Sequence, residues 1–116
     1  MCGGRDYRAR EQLFQVLDEL HAERGIELLI HGGAKGADSL AQDWCARRQV
    51  TCQIHRADWT THGRSAGPIR NKEMLAKGRP DLVVAFPGGR GTASMVAISE
   101  SAGVAVRRVG CGSTPQ

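Results

Sequence analysis

The chain has 116 residues, 41% hydrophobic and 24% charged, enough for one domain that buries about two-thirds of its unfolded surface without a disulfide or metal staple. Its formal charge of +4 suits an anionic ligand, but the basic doublets are only Arg47–Arg48 and Arg107–Arg108 and aromatic residues make up 4%, so nucleic acid is not an expected partner. No apolar run reaches membrane-spanning or leader length, and Cys2, Cys45, Cys52 and Cys111 lack metal-ligand spacing, which together place the chain in a reducing cytoplasm with no membrane partner and no metal.

Fifteen glycines, about twice the usual share, are the compositional signal. The first group is Met1–Tyr7, which reads as the end of a strand entering a glycine turn (Gly3, Gly4), with Arg5 and Asp6 at the start of a helix. From Arg8 to Arg24 the residues Leu13, Leu17 and Leu20, with Phe14 and Val16 beside them, follow a helical period, and Gly25 closes the helix. Ile26–Ile30 is an apolar strand. His31-Gly-Gly-Ala-Lys-Gly-Ala-Asp38 repeats the design of strand, glycines and helix, and Leu40, Ala41, Trp44 and Cys45 form the apolar stripe of that second helix.

Val50–His55 reads as a strand near a sheet edge, and residues 57–67 as a long polar loop of the kind that is usually functional. Trp59 in that loop is either a lid that stacks on a base or an anchor for the loop. Pro68, at a first helical position, starts a helix through Met74 and Leu75 to Gly78. Asp81–Phe86 is a buried strand that stops at Pro87-Gly-Gly-Arg-Gly-Thr92. There Gly88, Gly89 and Gly91 are expected to take positive φ, Thr92 to cap a helix over about 92–102, and the free N–H groups of its first turn to favour an anion. The last strand is Val104–Val109.

This alternation predicts an α/β fold, a three-layer Rossmann-like doubly wound parallel sheet of about five strands whose first strand is truncated, over residues 1–109, with 110–116 a disordered tail. Three glycine turns then fall on one rim, at the carboxyl ends of the strands, where such folds bind ligands. Neither the P-loop nor the dinucleotide fingerprint is present, since no lysine follows Gly91 and Ser94 stands where a third glycine would be required. The expected phosphate-binding residues are Gly3, Gly4, Arg5, Gly32, Gly33, Ala34, Lys35, Gly36 and Asp38, then Arg64, Gly67, Arg70 and Asn71, and finally Pro87, Gly88, Gly89, Arg90, Gly91 and Thr92. Arg70 would grip phosphate through its fork, and Asn71 would read a base or ribose edge, unless the arginines pair with Asp58 and Glu73. Asp38 either meets a ribose hydroxyl or complements its helix dipole.

The pieces Cys2–Tyr7, Gly32–Asp38, Gly63–Asn71 and Pro87–Thr92 together resemble the SLOG superfamily, named for the Smf/DprA and Lonely Guy proteins, and within it the small bacterial YspA- and YpsA-related branch. The resemblance implies a Rossmann-like domain that binds a nucleotide, NAD or an ADP-ribose-like ligand as a sensor or effector, with a homodimer as an expected assembly and no catalytic residue. A phosphoribohydrolase of Lonely Guy type is the alternative, and DNA handling of the Smf/DprA type a more distant one. Against the hydrolase, Met95 stands where the Lonely Guy motif carries its glutamate.

Overall fold

A computed structural model describes residues 1–110. In chain order the elements are α1 (Arg10–Arg24), β1 (Leu28–His31), α2 (Ala37–Arg48), β2 (Thr51–Ile54), α3 (Trp59–His62), a 3-10 turn (Gly63–Ser65), α4 (Ala66–Gly78), β3 (Leu82–Ala85), α5 (Arg90–Ser101) and β4 (Ala105–Arg108). Each strand returns through a helix, and such crossovers make the strands parallel. Two pairs result, with Leu28 of β1 opposite Thr51 of β2 and Leu82 of β3 opposite Ala105 of β4.

The fold is therefore α/β with parallel strands, but the four strands form two pairs instead of one run of five. Residues Met1 and Cys2 stand between the pairs. The Met1 amino group donates to the Ile30 carbonyl at 2.6 Å, the Cys2 N–H donates to Val84 at 2.9 Å, and the Phe86 N–H donates to Cys2 at 2.9 Å. Two residues make one parallel bridge, Cys2 to Ala85, before the backbone turns away at Gly3. Beyond Met1 a groove of about 570 Å³ separates the first halves of β1 and β3.

Alternate residues of β1 and β3 face different apolar clusters, as the two-residue period of a strand requires. Leu29 and Val84 join Leu13, Leu17 and Leu20 of α1 and Ala41, Trp44 and Cys45 of α2. Ile30 and Val83 join Met74 of α4 and Met95 of α5. Trp44 is fully buried, and its indole N–H donates to Asp18 Oδ1 at 2.9 Å. Arg48 also donates to Asp18, at 2.8 and 2.9 Å, and these donors hold the Asp18 carboxyl down to about 2.

Several local expectations are corrected. Helix α1 begins at Arg10, after a turn at Arg5–Asp6. The polar stretch 57–67 is not irregular: the Asp58 side chain accepts from the Thr61 N–H at 3.1 Å and caps α3, which leads through the 3-10 turn into α4. Pro68 is consequently the third residue of α4, still in the first turn where a missing N–H costs no helix bond. The tail expected at 110–116 falls outside the described residues beyond Gly110. Among the described residues no helix is long and apolar enough to cross a membrane.

Gly36 has φ +74°, and a Cβ there would run into the carbonyl oxygens of Gly4 and Arg5, whereas a Cβ at Gly89 would meet nothing within 4 Å. Urea unfolding should find Gly36→Ala destabilised by about 3 kcal/mol or more and Gly89→Ala by under about 1 kcal/mol. Equal costs at the two positions would contradict this packing.

Candidate functional site

The site is assembled from the end of β1, the start of α4 and the start of α5. Arg70, on the first turns of α4, reaches across to β1, where its Nη1 donates to the Gly32 carbonyl at 2.9 Å while Nε donates to Asn71 Oδ1 at 3.1 Å. Asn71 Nδ2 in turn donates to the Gly91 carbonyl at 3.2 Å in the first turn of α5. A Cβ at Gly32 would collide with Arg70 Nη1 and lie 2.8 Å from its Cζ, so glycine is what lets the guanidinium approach this backbone. Asp38, 6% exposed, accepts from the Ala34 N–H at 3.2 Å.

These elements border a cleft of about 1110 Å³, slightly above the usual size for a small-molecule site. Its wall carries Gly3, Gly4 and Arg5; Gly32, Ala34 and Asp38; Arg64, Gly67, Arg70 and Asn71; and every residue from Pro87 to Thr92. Three expected residues are not on it. Lys35 is exposed outside the cleft, Gly33 turns beside Ile54 and Arg56, and Gly36 is wedged beneath the first turn.

Five arginines (Arg5, Arg8, Arg64, Arg70, Arg90) face two carboxylates (Asp6, Asp38) around this cleft, so most of the chain's positive excess is gathered here. Burial pushes the Arg70 guanidinium below its ordinary range, opposed by the charge of Asp38 and reinforced by that of Arg5. An arginine remains charged nonetheless, and a half-buried one gains from an anion that replaces its lost water.

The glycines of the last turn act differently from expectation. Positive φ occurs at Gly33 and Gly36 but not at Gly88, Gly89 or Gly91. Gly88 lacks a side chain because a Cβ would meet Thr92 Oγ1 and the Gly4 nitrogen, Gly89 is the N-cap with φ −98°, and Gly91 is inside α5. Thr92 is the third residue of α5 and does not cap it. With no side-chain cap on α5, the first N–H groups of that helix are left for another acceptor.

Residues the sequence did not assign also line the cleft. Tyr7, Gln12 and Ser94 do, and Trp59 and Met74, singled out in the sequence, join them. Ser94 lies four residues after Arg90, one helical turn, which is the signal that could have found it. Met95 is instead 2% exposed in the cluster with Ile30, Met74 and Val83.

His31, the last residue of β1, is buried and braces the turn that follows it. It is 2% exposed, its Nδ1 accepts from the Gly33 N–H at 3.0 Å, and Nε2 pairs with Gln42 Oε1 at 2.7 Å, which puts the proton on Nε2. Burial pushes its pKa down.

Residues 1–62 match the family described as YAcAr, the YspA, cpYpsA-related SLOG family. The chain belongs to that family. This SLOG chain is also 40% identical over 118 residues to the Gene 61 protein of Mycobacterium phage D29, covering 95% of the chain and 94% of the phage protein. No solved structure matches the SLOG chain.

The His31 geometry sets a pH dependence for this SLOG domain. Its folded pKa lies below the unfolded value of about 6.5, so as pH falls the unfolded chain takes up the proton first. The stability contributed by neutral His31 is complete above about pH 6.5 and is lost as the pH drops through the folded value. Urea midpoints between about pH 8 and pH 5 should fall for the natural chain and fall less for His31→Gln. Parallel curves would remove His31 from the acid limb.

Proposed function

We propose that the cleft binds a nucleotide or nucleotide-derived ligand, with NAD and ADP-ribose among the candidates, and that the domain acts as a cytoplasmic sensor or effector module. The observation that carries this reading is the convergence of three glycine turns and five arginines on one cleft. Membership of the SLOG family supports a nucleotide-related ligand. The phosphate would sit at the uncapped start of α5 beside Arg90, with Arg70 and Arg64 on the opposite wall. Arg70 already commits Nε and Nη1 to Asn71 and Gly32, so its contact to phosphate would use Nη2 or replace one of those bonds. In this reading Met1–Cys2 is the remnant of a central strand and the two strand pairs are the halves of a five-position sheet.

Binding is favoured over Lonely Guy-type hydrolysis by the position of Met95. Residue 95 points into the apolar cluster and not into the cleft, and Glu100 further along α5 pairs with Arg108 at 3.1 Å. General acid–base help is worth about 10²–10⁴-fold in rate, and among the described residues the carboxylates lining the cleft are Asp6 and Asp38, with no glutamate from α5 where the Lonely Guy motif carries one.

A thermal-shift series with AMP, ADP, NAD and ADP-ribose should raise the melting temperature, since a ligand at a hundredfold excess over Kd stabilises by about 2.7 kcal/mol. Gly89→Asp has room for its side chain and places a negative charge at the α5 N-cap, so it should abolish the shift with the far-UV spectrum unchanged. A flat series for the natural chain would refute the reading. Incubation with AMP, followed by chromatography, should release no free base, and robust release would promote the hydrolase.

A further inference from the structure

Two tryptophans occupy opposite environments. Trp44 is fully buried, while Trp59 is 48% exposed on the wall of the arginine-rich cleft. An indole that served only to anchor its segment would be covered as Trp44 is, because its large apolar face gains most when removed from water. Trp59 is nevertheless held in place. Asp58 caps its helix, Gly63 ends that helix at φ +55°, and a Cβ on Gly67 would lie 3.4 Å from Trp59 Cη2, so the ring rests over the start of α4. What covers it is a cation: the Arg5 guanidinium carbon lies 5.3 Å from the ring centroid, inside the range of cation–π attraction.

We infer that Trp59 is the base-stacking shelf of the site, and that it makes the ligand a nucleotide carrying a planar base instead of a simple sugar phosphate. The inference rests on the phosphate-binding reading of the same cleft. Arg5 covers the shelf in the free protein. When a base stacks there, Arg5 gives up the ring and turns toward the anionic part of the ligand, which draws it more strongly than a quadrupole does. Stacking is tolerant of base identity because every base has a π face, so the shelf selects for an aromatic ring and not for a particular purine or pyrimidine.

Two probes that share a ribose phosphate and differ in the base, AMP and ribose 5-phosphate, separate the ideas. Titrated by calorimetry, the natural chain should prefer AMP. Trp59→Ala should weaken AMP by roughly tenfold or more and leave ribose 5-phosphate unchanged, while Trp59→Phe retains most of the AMP affinity. Acrylamide quenching reads the same event independently. Trp44 is inaccessible, so the quenchable emission is that of Trp59, and AMP should protect it where ribose 5-phosphate does not. If the natural chain binds neither probe, the shelf is refuted, and the thermal-shift series with ADP, NAD and ADP-ribose decides the phosphate reading separately. If it binds both and Trp59→Ala weakens neither, or weakens both alike, the shelf is refuted while the phosphate site stands.

Discussion

Backbone packed directly on backbone at Gly3–Gly4 is the constraint on which the rest of the molecule depends. The Gly4 N–H donates to the Pro87 carbonyl at 2.9 Å, and the Gly4 carbonyl accepts from the N–H groups of Ala37 at 3.1 Å and Tyr7 at 3.2 Å. A Cβ on Gly3 would stand 2.5 Å from the Ala37 Cβ, and one on Gly4 would stand 3.0 Å from the Gly88 Cα. These contacts seal the first turn between the turn that enters α2 and the turn that enters α5. Side chains at these points would separate the three turns and break the rim into unrelated loops. Because they are absent, the floor of the cleft is peptide and its charge arrives from the walls.

The charge on the walls is positioned through the same economy of side chains. Arg70 approaches β1 only because Gly32 leaves the space, and its bonds to Gly32 and Asn71, with Asn71 bonded to Gly91, tie α4 to both other elements of the site. A guanidinium so held has already lost rotamer freedom, so under the proposed binding less entropy would remain to be lost. Asp38 and His31 complete the support from the β1 side. Asp38 fixes the Ala34 N–H, and His31 fixes the Gly33 N–H, so the second turn is tied by two side chains of its own segment.

What the sequence disclosed depended on the range of the interaction. The stripes of α1 and α2 and the apolar strands were legible because period 3.6 and period 2 are local patterns, and Leu13, Leu17, Trp44 and Val83 are buried as the periods require. The glycines were found but their work was misread. Gly88 and Gly91 look like residues needing left-handed backbone, whereas Gly88 is required by its closeness to Gly4 and Thr92, and nothing within a window of sequence shows a contact 84 residues away. Helix α3 was hidden for the opposite reason, since four residues are too few to display a period, and only the Asp58 cap marks it. Where a truncated first strand was expected, the described residues hold only one isolated parallel bridge, Cys2 to Ala85, outside the four strands.

The direction of one helical turn finally bears on what kind of protein this is. Helix α5 lays Arg90, Gly91 and Ser94 along the cleft while Met95, Val96 and Ser99 are buried behind it. Ser99 donates its hydroxyl to the Met95 carbonyl at 2.7 Å, and Met95 packs among Ile30, Met74 and Val83, so position 95 is committed to the core. A carboxylate placed there would have to be buried among apolar groups, at a desolvation cost that no neighbouring cation in that cluster offsets. Met95, with Val96 and Ser99, forms the buried face of α5, and their packing sets the rotation of the helix. That rotation turns Arg90 and the uncapped first N–H groups of α5 toward the cleft, the arrangement on which the proposed anion site rests.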